Sequence, residues 1–205
     1  ADSPYVGMCL CVGCWLEGGT MMGKDVIETI KYFGERKKLF KVHFRNVNQP
    51  MPHFTETFLD DGYADMYQIL KALREVDFDG VIIADHIPSM VHPNTGTAFS
   101  IGYMKALVER AAIEDLFNDY YSLFGPDGQH DFMSYFTADG RLEVNGLVAN
   151  GHDEIKAMYV QAGIGDGGKA QTAEGAVPKG VSEMMYTNLK IQVQGDSADA
   201  TLLWH

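Results

Sequence analysis

Three short apolar segments, separated by two amphipathic ones, constrain the fold of this chain most. The apolar segments are "YVGMCLCVG" (5–13), "LFKVHFRN" (39–46) and "FDGVIIADH" (78–86). Between them, "GKDVIETIKYFGERKK" (23–38) and "YADMYQILKALREV" (63–76) repeat apolar residues at helical spacing. Strands that alternate with helices predict βαβ crossovers and a parallel sheet, which is either covered on both faces or closed into a barrel.

Three local expectations accompany this pattern. Phe40 and Val81 are expected within the buried strands, and "WLEGG" (15–19) is expected as a loop over the edge of the sheet. A last helix is expected over 98–110, with Ile101 and Val108 among its apolar positions.

Each predicted strand ends in side chains that bind metals in other proteins. The first ends near Cys11, the second at His43, and the third at Asp85 and His86. Because the carboxyl ends of parallel strands meet at one edge, we expect these residues to converge although they are far apart in sequence. Cysteine, histidine and aspartate together suit zinc, iron, cobalt or manganese.

Arg45 and His86 extend this set towards a reaction. Arg45 follows His43 by two positions and shares its side of an extended strand, where it could hold a carboxylate through two hydrogen bonds. His86 points elsewhere than Asp85 in a strand, which favours an acid–base role over metal binding. Structural alternatives stay open, since a histidine at a strand end is often satisfied in the core and a strand cysteine is often a small hydrophobic residue.

Composition narrows the function classes. The net charge of −12 argues against a general nucleic-acid binder, and no apolar run approaches the ~20 residues of a membrane span. Cys9, Cys11 and Cys14 form an odd, clustered set that favours a reducing cytoplasm over a disulfide framework. The chain begins at Ala1 rather than Met, so we expect that its amino end is trimmed or missing.

Charge and texture change near Ala111, where we predict a domain boundary. Residues 1–110 hold 11 Lys/Arg and 14 Asp/Glu, whereas residues 111–205 hold 5 and 14. After the boundary we expect a helix over 111–125, a strand and helix around Gly151, a glycine-rich loop over 163–180 and a terminal hairpin. The loop lacks the Gly-Lys-Ser/Thr end of a phosphate-binding loop.

Residues 4–110 resemble the carboxyl-terminal part of the mannonate dehydratase family. The resemblance rests on "GMCLCVGCWLEGG", "KVHFRNV", "HFTETFLDDGYADMYQILKALREVDFDGV" and "ADHIPSM…GTAFSIGYMKAL", in that order. It implies a xylose-isomerase-like TIM barrel, here partial, and a divalent metal, Mn²⁺ first and Fe²⁺ or Co²⁺ next. It also implies the removal of water from D-mannonate to give 2-keto-3-deoxy-D-gluconate in hexuronate breakdown.

The same resemblance assigns roles to residues. It makes Cys11, His43 and Asp85 metal ligands, with a further ligand expected from a part of the barrel that precedes residue 1. It makes Arg45 the partner of the carboxylate of the sugar acid. It makes His86 the acid–base group, and Tyr103 a second catalytic candidate.

Residues 111–205 resemble the nuclear-transport-factor-2-like α+β cone, in its polyketide-cyclase-like branch. "IEDLFNDYY", "FTADGRLEVNG", "GHDEIKAMY" and "TNLKIQVQGDSADATLLW" carry this resemblance. It implies a site inside the cone, for which Asp119, Tyr120 and His205 are candidates, although roles as ordinary helix-face and strand residues are the alternative. We expect the cone to be truncated at its end, so the chain resembles a fusion, a fragment or a partial gene product.

Three functions therefore stand side by side. The first is a metal-dependent sugar-acid dehydratase or an incomplete relative of one. The second is a small-molecule-binding or cyclase-type cone module beside an inactive barrel fragment. The third is a non-catalytic fragment that acts by assembling with others. A partial barrel exposes strand edges and apolar surface, so we also expect self-association.

Overall fold

The computed structural model describes residues 3–123, 132–144, 146–161 and 186–204. The chain divides into two compact units, which are Ala1–Ala111 (unit 1) and Ala112–His205 (unit 2). This division lies beside the expected boundary near Ala111, whereas the identities of the two domains stay predictions.

Unit 1 begins with alternating strands and helices. Its elements are β1 (Met8–Cys11), α1 (Val12–Gly18), a 3₁₀ turn (Gly19–Met22), α2 (Val26–Gly34), β2 (Leu39–Phe44), β3 (Asn46–Val47), β4 (Glu56–Thr57), α3 (Met66–Glu75) and β5 (Val81–Ala84). They are followed by α4 (Pro93–Ser122), which contains the boundary between the units.

The parallel sheet of unit 1 is confirmed. Its strand order is β1-β2-β5, with both pairs parallel. In register, Cys11 lies opposite His43, and His43 lies opposite Ile83. A short antiparallel pair, β3 and β4, follows β2. The closed barrel goes beyond these described strands and stays a prediction.

The helices of unit 1 begin at strong caps. Asp25 accepts a hydrogen bond from the backbone N–H of Glu28, whose side chain returns one to Asp25, so α2 starts with a capping box. Asp65 caps α3 by accepting from the N–H groups of Tyr67 and Gln68. Both helices turn their apolar faces to the sheet, and the core has fully buried members such as Ile30.

Some local expectations for unit 1 were wrong. "WLEGG" was expected as a loop, but its first residues belong to α1 because the helix starts at once after β1. Phe40 and Val81 were expected in the buried strand cores, yet they are 41% and 59% exposed. Neither sheet face is fully covered at these two positions, so an apolar strand residue is not necessarily a buried one.

The two helices expected over 98–110 and 111–125 are one helix, α4. Nothing at Ala111 stops a helix, since neither glycine nor proline interrupts the chain there. Leu107 and Ala111 are buried in the core of unit 1. Ile101 and Val108, expected on the apolar face, are each 43% exposed.

Unit 2 contains two antiparallel hairpins and a helix within its described residues. They are β6 (Arg141–Val144) with β7 (Leu147–Asn150), α5 (Gly151–Gln161), and β8 (Tyr186–Gln194) with β9 (Ser197–Trp204), preceded by a 3₁₀ turn (Phe132–Tyr135). The predicted terminal hairpin is confirmed. The two hairpins form separate sheets among the described residues, and the cone stays a prediction. The loop over 163–180 and His205 lie outside the described residues.

A small core holds the first part of unit 2 together. Its buried members are Leu123, Phe132, Ala149, Ile155 and Tyr159. Within the part of the chain that the structure describes, no helix combines the length and the apolar character that crossing a membrane requires.

Candidate metal centre

Cys11, His43 and Asp85 meet at the carboxyl edge of the sheet. Their ligand atoms all lie within 4.8 Å of one another. The Cys11 thiol donates to Asp85 Oδ2 at 3.9 Å, and His43 Nδ1 lies 3.4 Å from the same oxygen. Because the three residues come from the ends of β1, β2 and the segment after β5, the strand register brings them together.

The donor set fits a transition-metal ion. Such ions bind sulfur, nitrogen and oxygen ligands at about 2.0–2.3 Å, so two ligands of one ion lie at most about 4.6 Å apart. The separations within the cluster nearly meet this limit. Each of the three side chains is partly buried, which favours a defined site over a solvated group of charges.

Arg45 lies beneath this cluster as a buried cation. Arg45 is only 4% exposed, and its Nη2 donates a hydrogen bond to Glu17 Oε1. Its Nε lies 3.4 Å from Asp85 Oδ2, and its Nη1 lies 3.5 Å from Glu56 Oε1. Three carboxylates therefore surround one guanidinium, and they compensate the cost of burying its charge.

The protonation of Arg45 follows from these partners. Burial by itself lowers the pKa of Arg45, but the hydrogen bond to Glu17 and the charges of Cys11 and Glu17 outweigh burial and raise it. Its Nε and Nη1 are buried and make no hydrogen bond among the described residues, although both lie at ion-pair distance from a carboxylate.

Gly13 makes room for Arg45. A Cβ atom on Gly13 would lie 2.5 Å from Cγ, Nε and Cζ of the arginine. Any larger residue at position 13 would therefore displace the guanidinium from Glu17 or shift α1.

Glu56 and His86 form a second layer at this edge. His86 Nδ1 lies 2.5 Å from Glu56 Oε1, and its Nε2 lies 3.6 Å from Asp85 Oδ1. An ionised carboxylate only accepts hydrogen bonds, so the contact with Glu56 requires a proton on Nδ1. The His86 side chain is 56% exposed.

Asn46 fixes the segment that carries Glu56. The Asn46 side chain is fully buried, and its Nδ2 donates to the carbonyls of Leu59 and Ala64 at 3.1 and 2.9 Å. Its Oδ1 accepts from the N–H of Val47 at 3.0 Å. One satisfied amide thus ties β3 to the chain that returns from β4.

Cys14 lies at the margin of the cluster. Its backbone N–H donates to Cys11 Sγ at 3.4 Å, and Arg45 Nη2 lies 3.6 Å from its Sγ. Burial first, and then the contact with Cys11, raises the pKa of the Cys14 thiol, while Arg45 opposes the shift.

Tyr103, the second catalytic candidate, lies elsewhere in unit 1. It packs against the core from α4 and stacks on Phe99 with ring centroids 6.4 Å apart. Burial and the charges of Asp60 and Asp65 raise its pKa. The catalytic role of Tyr103 stays a prediction.

The candidates of unit 2 are divided between surface and core. Asp119 is exposed, and its carbonyl accepts from the Ser122 hydroxyl at 2.6 Å. Tyr120 is half-buried, and its hydroxyl bonds that of Tyr159. Burial raises the pKa of both tyrosines. His205 lies outside the described residues.

The sequence alone did not reveal the roles of Glu17, Glu56, Gly13 and Asn46. Glu17 was expected in a loop. Its spacing of three residues from Cys14 could have indicated that both residues share one face of a helix. Glu56 follows no strand of the parallel sheet and reaches the cluster only through the turn back at β4. Only the three-dimensional path of that segment reveals it.

Comparison with known proteins finds relatives for the part of the chain that contains the cluster. The model of the family described as "D-mannonate dehydratase (UxuA)" matches residues 1–120. A mannonate dehydratase of Thermotoga neapolitana is 32% identical over 88 residues, which are 42% of this chain and 24% of the relative. One of Oceanobacillus iheyensis is 31% identical over 98 residues, covering 45% and 26%.

A solved structure gives a partial match. The mannonate dehydratase from Streptococcus suis serotype 2 aligns with 55% of this chain and 35% of its own, at 27% identity and a TM-score of 0.47. The chain spans about a quarter of the length of the curated relatives it matches. Since the family model covers more than half of the 205 residues, this chain belongs to the D-mannonate dehydratase family.

Proposed function

We propose that this chain supplies part of the active site of a metal-dependent sugar-acid dehydratase that converts D-mannonate to 2-keto-3-deoxy-D-gluconate and water. One observation carries the proposal, namely the meeting of Cys11, His43 and Asp85 at the carboxyl edge of a parallel sheet. Membership in the family gives the reaction class, and the matched relatives are named as mannonate dehydratases.

Cys11, His43 and Asp85 would hold the metal, with Mn²⁺ as the first choice and Fe²⁺ or Co²⁺ as alternatives. When bound, a divalent ion supplies Lewis-acid stabilisation of the negative charge that develops beside the substrate carboxylate. A partly enclosed thiolate, imidazole and carboxylate suit such an ion better than an alkali cation.

His86 would move the protons of the reaction. Loss of water removes the proton at C2 and the hydroxyl at C3, so one group must accept a proton and one must give a proton. With its Nδ1–H held by Glu56, His86 presents Nε2 as the base, and once protonated there it can protonate the leaving hydroxyl. This carboxylate–imidazole arrangement orients the ring and stabilises its charged form.

Arg45 would orient the anionic substrate and the acidic side chains around it. Its charge is fixed by Glu17, and its two N–H groups without hydrogen bonds lie beside Asp85 and Glu56. A substrate carboxylate could engage these N–H groups.

Metal binding tests the proposal. The purified 205-residue chain is loaded with Mn²⁺ or Co²⁺, passed through a desalting column and analysed for metal. We expect one ion per chain in the native protein and in His92→Ala, a control at an exposed histidine, and loss of that ion in His43→Ala. Equal metal content in all three proteins would refute the site.

For unit 2 we propose the α+β cone that its motifs resemble, as a small-molecule-binding or cyclase-type module. The supporting observation is an aromatic cluster in which Tyr120 contacts Phe132, Tyr135 and Phe136 edge-on, within 6.2 Å between ring centroids. Binding of an aromatic probe such as 1-anilinonaphthalene-8-sulfonate, lost in Tyr120→Ala but kept in Tyr5→Ala, would support this module. Equal binding by both variants would contradict it.

We also propose that the chain self-associates in the cytoplasm. Among the described strands, β1 and β5 are the edges of the parallel sheet, and each has one side without a strand partner. Exposed apolar side chains such as Val81 add to these edges. A monomer at micromolar concentration in analytical ultracentrifugation would overturn this proposal.

A further inference from the structure

Cys11 and Cys14 form a Cys-x-x-Cys pair across the junction of β1 and α1. Cys11 ends the strand, and its sulfur accepts a hydrogen bond from the backbone N–H of Cys14 at 3.4 Å. Cys14 is exposed, whereas Cys11 is half-buried and belongs to the metal cluster.

We propose that Cys11 and Cys14 are a reversible oxidation site, which a low-molecular-weight disulfide such as glutathione disulfide converts to an intramolecular disulfide. One cysteine thiolate attacks the glutathione disulfide, and one glutathione leaves as the thiolate. The second cysteine thiolate then attacks the mixed disulfide and expels the second glutathione. The protein loses two protons and two electrons, and the two electrons reduce glutathione disulfide to two molecules of glutathione.

The geometry of the pair suits this bond. A disulfide needs Cα atoms about 4.4–6.8 Å apart. Its Cβ atoms must also approach to about 3.5–4.5 Å. Cys11 is the extended N-cap residue of α1, and its sulfur lies 3.4 Å from the backbone nitrogen of Cys14 in the first turn. The Cys11 sulfur thus already lies against the turn that carries Cys14, and rotation of the Cys14 side chain with a small shift of the backbone can join the two sulfurs.

Cys9 serves as an internal comparison. It is also exposed, and it lies two residues before Cys11 on β1. Two residues of an extended strand are separated by about 6.6 Å along its axis, with side chains that run parallel. The structure shows a sulfur hydrogen bond of Cys11 with Cys14, and we therefore expect Cys9 to stay outside this disulfide.

Oxidation would remove a metal ligand. A disulfide sulfur has no thiolate charge, so Cys11 would no longer bind the ion and only His43 and Asp85 would remain of the described set. This consequence rests on the proposed function, whereas formation of the disulfide does not. The oxidation site would thus couple the metal content of the chain to the thiol–disulfide balance of its surroundings.

The disulfide is tested on the full chain by intact-mass measurement after alkylation with iodoacetamide. The reduced protein should label at all three cysteines. After treatment with glutathione disulfide, the metal-free protein should carry an iodoacetamide label or a glutathione adduct at Cys9 alone, with Cys11 and Cys14 joined to each other. Cys9→Ser should still form the disulfide, whereas Cys14→Ser should yield a glutathione adduct instead. Three labelled cysteines after oxidation, or a disulfide that joins Cys9 to Cys11 or Cys14, would overturn the proposal.

The metal arm of the test uses the absorption of the Co²⁺-loaded chain. The thiolate-to-cobalt band should disappear when the native chain is oxidised and return with dithiothreitol, and Cys9→Ser, which keeps the Cys11 and Cys14 pair, should behave in the same way. Persistence of the band in the oxidised native chain would overturn the coupling. A reduced chain that forms the disulfide but never shows the band would instead contradict the proposed metal site and leave the oxidation site standing.

Discussion

The two units place their polar chemistry in opposite ways. In unit 1, the cluster of Cys11, His43 and Asp85 lies at the open edge of a sheet, above a buried arginine. In unit 2, the hydroxyls of Tyr120 and Tyr159 bond each other inside an aromatic core. The first arrangement leaves ligand atoms for a metal or substrate, whereas the second uses its polar atoms for each other.

This difference indicates what each set contributes. A buried charge such as Arg45 is tolerated only with compensating partners, so removing it should upset several groups at once. A neutral hydroxyl pair contributes about one ordinary hydrogen bond to stability. Substitutions in the two units should therefore differ in size, and four of them test the comparison.

The largest effect is expected for Arg45→Met. The substitution leaves Glu17 and Asp85 without their buried cation, and we expect unit 1 to lose about 3 kcal/mol of unfolding free energy. Urea unfolding can be followed by the fluorescence of Trp15, which packs on the core of unit 1, in a Trp204→Phe background where it is the sole tryptophan.

Arg36→Met is the matched control, because Arg36 makes an exposed pair with Glu35 at 3.8 Å. Its expected cost is below about 1 kcal/mol. If the Arg45 variant is as stable as the Arg36 variant, hydration or protonation of the surrounding carboxylates replaces the cation. The two units would then not differ in this respect.

Gly13→Ala should have the next largest effect. Alanine favours a helix by about 1 kcal/mol over glycine, but its Cβ would lie 2.5 Å from Arg45, which Glu17 holds in place. Overpacking costs about 1–3 kcal/mol, so the net result is a loss of about 1 kcal/mol in the same urea experiment.

The control for this clash is Gly102→Ala in α4. A Cβ on Gly102 meets nothing within 4 Å, so the helix should gain about 0.5–1 kcal/mol. The two alanine substitutions are thus expected to change stability in opposite directions, and a gain in both would mean that Arg45 moves aside at little cost.

The ligand cluster could be predicted from the sequence because the periodicity of apolar residues was enough to locate the strands that carry it. Strands that alternate with helices imply a parallel sheet, and its edge collects whatever follows each strand. Cys11 and His43 lie in the last residues of their strands and Asp85 directly follows β5, and the three side chains were found together. The terminal hairpin of unit 2 followed in the same way from alternation and turn residues.

The partners of the cluster could not be predicted, because their positions depend on tertiary packing. Glu56 lies in a segment without periodicity, and a buried asparagine sets its path to the cluster. The contact of Gly13 with Arg45 joins residues of two elements, and no local pattern records it. The prediction of two separate helices in place of α4 was wrong for a related reason. Their apolar faces differ, but the chain continues from one to the other as a single helix.

Tyr159→Phe tests the core of unit 2 and should cost about 1 kcal/mol, the net value of one hydrogen bond. The pH dependence of the stability of unit 2 is a more specific test of Tyr159. Burial and the contact with Tyr120 raise the pKa of Tyr159 above the ordinary value of 10.0, so the folded unit keeps a proton that the unfolded chain releases. Unit 2 should therefore lose stability as the pH rises above about 10.

Hydrogen exchange of peptides from α5, measured between pH 9 and 11 with correction for the intrinsic rate, reports this loss. Tyr159→Phe should reduce the dependence on pH, whereas Tyr5→Phe, at a residue that is 90% exposed, should not. The same slope in the native chain and in Tyr159→Phe would show that other groups titrate in its place.

The smallest effect on stability is expected at the edge of unit 1, for Glu56→Ala. Glu17 and Asp85 still compensate the charge of Arg45 when Glu56 is removed. The bond between Glu56 and His86 is exposed, so we expect the substitution to cost less than about 1 kcal/mol. The main contribution of Glu56 is to orient His86, because its carboxylate favours a proton on Nδ1. Long-range ¹H–¹⁵N NMR of the imidazole should show this tautomer in the native chain and in Glu56→Gln, which keeps an oxygen acceptor, but a mixture in Glu56→Ala. An unchanged tautomer in Glu56→Ala would mean that another group orients His86. The polar groups of the two units would then differ further. Tyr120 and Tyr159 depend on each other, whereas His86 at the open edge would not depend on Glu56.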